Sequence, residues 1–106
     1  MILLDTSVLI DAFTGPRRSA PPLRRAIESG ERIALTTLVL YEWLRGPRRA
    51  EELAAQEALW PRTAAIAFGA SEAAKAADLY RSVRSARGRE IDLAIAAFAI
   101  CWDAQL

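Results

Sequence analysis

The 106-residue sequence contains no histidine. That absence removes imidazole acid–base catalysis, Ser-His-Asp and Cys-His nucleophile systems, and His-based zinc sites. Cysteine is nearly absent too. Cys101 stands alone, so no disulfide can form within the chain, which suits a reducing compartment. Lying in the apolar run Ala96–Trp102, it reads as a small core side chain. There is no CxxC pair and no glycine-rich phosphate loop. The opening Met1-Ile2-Leu3-Leu4-Asp5 lacks the basic region of a signal peptide. The uncharged stretch Leu93 to Trp102 falls far short of the ~20 residues a membrane span needs. These absences point to a cytoplasmic protein without a membrane segment. They leave carboxylates, alone or around a hard cation, to carry any catalysis.

What is present reads as one globular domain over 1–106: 53% of residues are hydrophobic, 25% are charged and the net charge is only +1. Lys75 is the sole lysine, and every other cation is arginine. That bias suits phosphate binding, and it equally suits the composition of an Ala- and Arg-rich chain.

Along the chain, Met1–Leu4 reads as a buried strand delivering Asp5 at its C-terminal end. Thr6 or Ser7 reads as the cap of a short helix over Val8–Phe13, broken at Gly15-Pro16. Pro21-Pro22 reads as a loop, followed by a helix over Leu23–Ser29 that Gly30 closes. Arg32–Thr36 reads as a second strand, and Thr37 as the cap of a helix over Leu38–Arg45. Arg48–Leu59 is helical in composition. Thr63–Phe68 reads as a third, Ala-rich strand. Ser71 then caps a helix to about Arg87, with Ala73, Ala76, Tyr80 and Val83 along its apolar stripe. A last helix starts near Arg89 and is apolar almost all round, with Ile91, Ile95, Phe98 and Trp102 on one side. Strands alternating with helices predict an α/β fold with a parallel sheet of about three strands.

Thirteen acids are present. Glu28, Glu31, Glu51, Glu52, Glu57, Glu72 and Asp78 sit among polar or helix-surface neighbours. Asp5, Glu42 and Asp92 do not. Asp5 ends an apolar strand, Glu42 lies within Leu38–Leu44, and Asp92 opens the most apolar helix. In a parallel α/β sheet, strand C-termini and the following helix starts share one edge, where ligands bind. Three carboxylates gathered there repel one another, and a hard cation such as Mg²⁺ or Mn²⁺ relieves that repulsion. Each acid has a plainer reading. Asp5 and Asp92 fit as helix-terminal acids answering the macrodipole, and Glu42 as a partner of Arg45.

The blocks Leu3-Leu4-Asp5-Thr6-Ser7-Val8-Leu9-Ile10, Leu38-Val39-Leu40-Tyr41-Glu42-Trp43-Leu44-Arg45-Gly46 and Gly88-Arg89-Glu90-Ile91-Asp92-Leu93-Ala94-Ile95-Ala96-Ala97 resemble, in order and spacing, the acidic blocks of PIN domains, especially VapC-type toxins. The resemblance implies a PIN-like fold and Mg²⁺- or Mn²⁺-dependent endoribonuclease activity in a toxin–antitoxin system. It implies Asp5, Glu42 and Asp92 as metal ligands and catalytic acids, with the Thr6 or Ser7 hydroxyl in support. It also implies an RNA substrate, a cognate antitoxin and homodimerisation. Family members usually continue into a further strand, a Thr/Asn-containing loop and a fourth acid, none of which this sequence carries. Two expectations follow: a weakened metal site, and an unpaired edge on the Asp5 strand that invites association. A catalytically impaired PIN-like domain that keeps only antitoxin binding or self-association is the alternative. Arg84, Arg87 and Arg89, with Arg81, form one arginine cluster, and Arg45, Arg48 and Arg49 another. Either is an RNA-phosphate clamp or a solvated face, and neither interleaves the aromatics of a base-stacking platform.

Overall fold

A computed structural model describes residues 1–17 and 19–105. The element order is β1 (Ile2–Leu3), α1 (Thr6–Phe13), α2 (Ala20–Glu28), β2 (Ile33–Ala34), α3 (Thr37–Arg45), α4 (Ala50–Leu59), a 3₁₀ turn at Arg62–Ala64, α5 (Ala70–Ser82) and α6 (Glu90–Cys101). The α/β class read from the sequence holds. The sheet is smaller than expected: β1 and β2 pair in parallel, Ile2 with Ile33 and Leu3 with Ala34. The expected third strand is reduced to a single parallel bridge between Thr36 and Ile66, because the chain spends Arg62–Ala64 in the 3₁₀ turn.

Leu3 and Leu4 show how the layers form. Successive strand residues face opposite sides, so Leu4 enters a core with Leu9, Val39, Trp43 and Ile95 while Leu3 enters another with Phe98 and Ala99. A strand buried on both faces is apolar without alternation, which is why Ile2-Leu3-Leu4 reads as it does.

The expected open edge beside Asp5 is largely closed. The Leu3 N–H donates to the Gln105 carbonyl at 2.7 Å and the Gln105 N–H to the Met1 carbonyl at 3.0 Å, a parallel bridge on the side away from β2. Helix α6 ends at Cys101, and Asp103 takes φ +49° in the turn that sends the chain back to β1. Asp103 therefore lies beyond the helix of Asp92.

Several boundaries moved for local reasons. Asp5, not Thr6 or Ser7, caps α1, and Thr36, not Thr37, caps α3. Pro21 and Pro22 belong to the first turn of α2, where their missing N–H groups cost nothing. Helix α5 stops at Ser82, so Arg84 and Arg87 lie in the following loop. Its expected apolar stripe is not a buried face: Ala73 and Tyr80 are exposed, and Glu72 is the buried residue of that helix. Cys101 and Trp102 are exposed rather than core. No helix among the described residues is long and apolar enough to cross a membrane.

Two acids that looked like surface residues are buried, Glu52 (7% exposed) and Glu72 (8%). Glu72 accepts from the Trp102 indole N–H at 3.3 Å, joining the start of α5 to the end of α6. Glu52 folds back onto its own helix start and accepts the Arg49 N–H at 2.8 Å. That backbone bond, with the guanidinium of Arg49 and the charge of Arg48 behind it, outweighs burial and holds the Glu52 carboxyl below its ordinary value of 4.5. A depressed acid contributes stability above its unfolded pKa and loses it as pH falls through the folded one. Glu52→Gln keeps a side chain able to cap but not to ionise. The variant is expected to melt below the parent at neutral pH, with the gap closing as pH drops beneath 4.5, read as thermal midpoints across a pH series.

Candidate active site

Each of the three singled-out acids is positioned by a different element. Asp5 leaves β1 in extended conformation and caps α1, its Oδ1 accepting the Thr6 N–H at 2.8 Å. The second oxygen, Oδ2, accepts from the Ser7 hydroxyl at 3.0 Å. Both oxygens are thus held, and the helix-terminal reading of Asp5 coexists with any chemical one.

Glu42 stands on α3, whose orientation is fixed by apolar anchors. Val39 and Trp43 are fully buried, and Phe13 packs against Trp43 at 6.0 Å between ring centroids. With that face turned inward, Glu42 meets α1, where its Oε1 accepts from the Thr6 hydroxyl at 2.5 Å. Its other oxygen takes Arg45 Nη2 at 3.3 Å. Arg45 is 54% exposed, and so open an ion pair contributes little to stability.

Asp92 lies in the first turn of α6 and is exposed. It lines a cavity of about 300 Å³ together with Glu42, Arg45, Gly88, Glu90 and Ile91. Glu90 was not singled out by sequence, yet it adds a third carboxylate to this wall. Its own N–H and that of Gly88, the latter at 3.0 Å, hold its carboxyl below the usual range, so it stays charged. Among the described residues, three carboxylates face a single guanidinium there.

The structure thus brings Asp5 and Glu42 together through Thr6, and Glu42 and Asp92 together across a cavity. It does not draw three acids into one tight cluster: no group of three or more Asp, Glu, Cys or His side chains among the described residues is spaced to hold an ion. The donor chemistry nonetheless fits a hard divalent cation, since every candidate donor is oxygen. Mg²⁺ commonly takes only one or two protein carboxylates and keeps its remaining waters, and Glu42 and Asp92 line the same cavity.

The arginines separate. Arg45 is on the cavity wall, whereas Arg84, Arg87 and Arg89 are exposed between α5 and α6 and do not line it. The expectation that no aromatic accompanies the arginines is overturned. The Arg45 guanidinium lies over the Tyr41 ring at 5.2 Å and that of Arg48 over Trp43 at 4.3 Å. The spacing of four between Tyr41 and Arg45 on one helix was the available signal.

The PIN domain family matches residues 2–105. The chain therefore belongs to the PIN-domain family. Within that family it is of VapC type: over 108 residues it is 38% identical to Ribonuclease VapC19 of Mycobacterium tuberculosis, in strains CDC 1551 / Oshkosh and ATCC 25618 / H37Rv alike, covering 100% of this chain and 86% of the relative. No solved structure matches the chain at a significant level.

Proposed function

We propose that the protein is a divalent-metal-dependent endoribonuclease, the toxin of a type II toxin–antitoxin pair, with Asp5, Glu42 and Asp92 as its catalytic acids. One observation carries the reading. Thr6 links Asp5, through its N–H, to Glu42, through its hydroxyl, and Glu42 shares a polar cavity with Asp92, which supports a common site built from three distant parts of the chain. The family and the identity to a protein named ribonuclease support the same reaction class.

When bound, a Mg²⁺ or Mn²⁺ ion would supply water acidification and charge neutralisation at the phosphodiester. The chain's own residues do the rest. Glu42 and Asp92 would hold the cation, and Asp5 supplies a further carboxylate whose orientation is fixed by the Thr6 N–H and Ser7 hydroxyl. Thr6 sets the rotamer of Glu42, and Arg45 offers a cation to a neighbouring phosphate. Arg84, Arg87 and Arg89 extend that attraction outside the cavity. The partner this reading entails is a cognate antitoxin, and the compartment is the cytoplasm. Homodimerisation finds support in the exposed Ile100 (53%) and Trp102 (45%) at the end of α6, not in an open strand edge. A solution mass of 11.6 kDa by light scattering would remove it.

The alternative, a catalytically impaired PIN-like domain that keeps only its protein-binding role, draws on the absence of a tight three-acid group. Cleavage of single-stranded RNA in Mg²⁺ or Mn²⁺, with an EDTA control and Asp5→Asn, separates the two. Asn still caps α1, so the variant should fold. Cleavage lost on both treatments is the expected result. No cleavage by the parent chain in either metal would overturn the enzyme reading in favour of the alternative.

A further inference from the structure

Arg45 belongs to two surfaces at once. On one side it walls the acidic cavity with Glu42 and Asp92. On the other it borders a shallow groove of about 470 Å³ along α3, lined also by Thr37, Leu40, Tyr41 and Leu44. Tyr41 is 54% exposed, a large ring left in solvent one residue from a proposed catalytic acid. Its ring meets the Arg45 guanidinium at 5.2 Å. Glu42 engages one nitrogen of that guanidinium, a group with five N–H donors.

We infer that this groove is a base-stacking subsite for single-stranded RNA, with Tyr41 as the stacking platform and Arg45 as the phosphate contact joining it to the acidic cavity. The inference rests on the ribonuclease reading and extends it to the nucleotide beside the cleaved bond. Charge complementarity selects the occupant. A polyanion lying against carboxylates needs a cation to hold its neighbouring phosphate, and among the described residues Arg45 is the only cation on the cavity wall. A strand anchored there passes directly onto the apolar side of the groove. A base has the chemistry to use that surface, because its π-face stacks on an aromatic ring whatever its sequence, and an arginine already on the ring strengthens the platform. The subsite therefore gives position without base identity. A duplex, whose bases are already stacked on one another, has none to offer.

The test uses the full chain carrying Asp92→Asn to suppress cleavage, in Mg²⁺, with a short single-stranded oligoribonucleotide bearing 2-aminopurine. Adding Tyr41→Ala is expected to weaken binding by about 5- to 150-fold and to abolish the quenching of 2-aminopurine that stacking causes. Tyr41→Phe, which keeps the ring, is expected to bind within about twofold of the parent. A Tyr41→Ala protein that binds and quenches like the parent overturns the subsite, while leaving the ribonuclease reading standing if the unsubstituted chain cleaves RNA. Failure of the Asp92→Asn parent to bind the oligonucleotide overturns the subsite, and the ribonuclease reading falls with it only if the unsubstituted chain also fails to cleave RNA. Light scattering that shows Tyr41→Ala losing a dimer while RNA affinity is unchanged assigns the face to self-association and overturns the proposal.

Discussion

Asp92→Asn is expected to lower RNA cleavage by on the order of 10²- to 10⁴-fold, the range for losing a positioned catalytic carboxylate, while leaving thermal stability essentially unchanged. The separation of effects comes from its surroundings. Asp92 is exposed on the first turn of α6, whose packing depends on Leu93, Ala94, Ile95, Ala97 and Phe98 and not on the acid. Asparagine matches it in shape, and the neighbouring Glu90 keeps a negative charge near the helix start. Measuring kcat/KM beside a melting curve checks both halves. Full activity in Asp92→Asn would remove it from the site, and a large fall in the melting midpoint would mean that its role is structural.

Trp43→Ala is expected to cost about 3–5 kcal/mol, a large fraction of the roughly 5–15 kcal/mol that keeps a domain folded. Trp43 is fully buried, packs against Phe13 and carries the Arg48 guanidinium on its ring. Deleting it opens a cavity at the centre of the larger core. The indole N–H has no hydrogen-bond partner among the described residues, so a phenylalanine would lose ring volume without losing a bond. Trp43→Phe should therefore cost clearly less than Trp43→Ala in chemical denaturation. The adjacent Glu42 takes its direction from this anchor. The alanine variant should cleave RNA poorly even at a temperature where it remains folded.

The contrast between these two positions shows what was legible in the sequence. Asp5, Glu42 and Asp92 stood out because acids inside apolar runs demand an explanation, and strand-to-helix alternation assigns them a common edge. Glu90 escaped notice because it sits beside Arg89 in a polar stretch, where exposure is the ordinary expectation. Glu52 and Glu72 were misread for the same reason, since whether a helix-start acid turns outward or folds back onto its own amides is decided by rotamer and packing, not by composition. The third strand shrank to one bridge because Pro61 with Arg62–Ala64 closes a tight turn first, and the alanines of Thr63–Phe68 have low strand propensity. Gln105 at the sheet edge had no sequence signal at all. Two residues of pairing after a turn at positive φ are too few to leave a period.

The contact between Leu3 and Gln105 orders events in synthesis. These two residues are roughly a hundred positions apart, and pairings so remote in sequence are the slowest to form. The strand that presents Asp5 is made roughly a hundred residues before the segment that becomes its second neighbour. A nascent chain therefore carries Asp5 on a half-paired strand, and the cavity shared by Glu42, Glu90 and Asp92 is completed only when the start of helix α6 arrives.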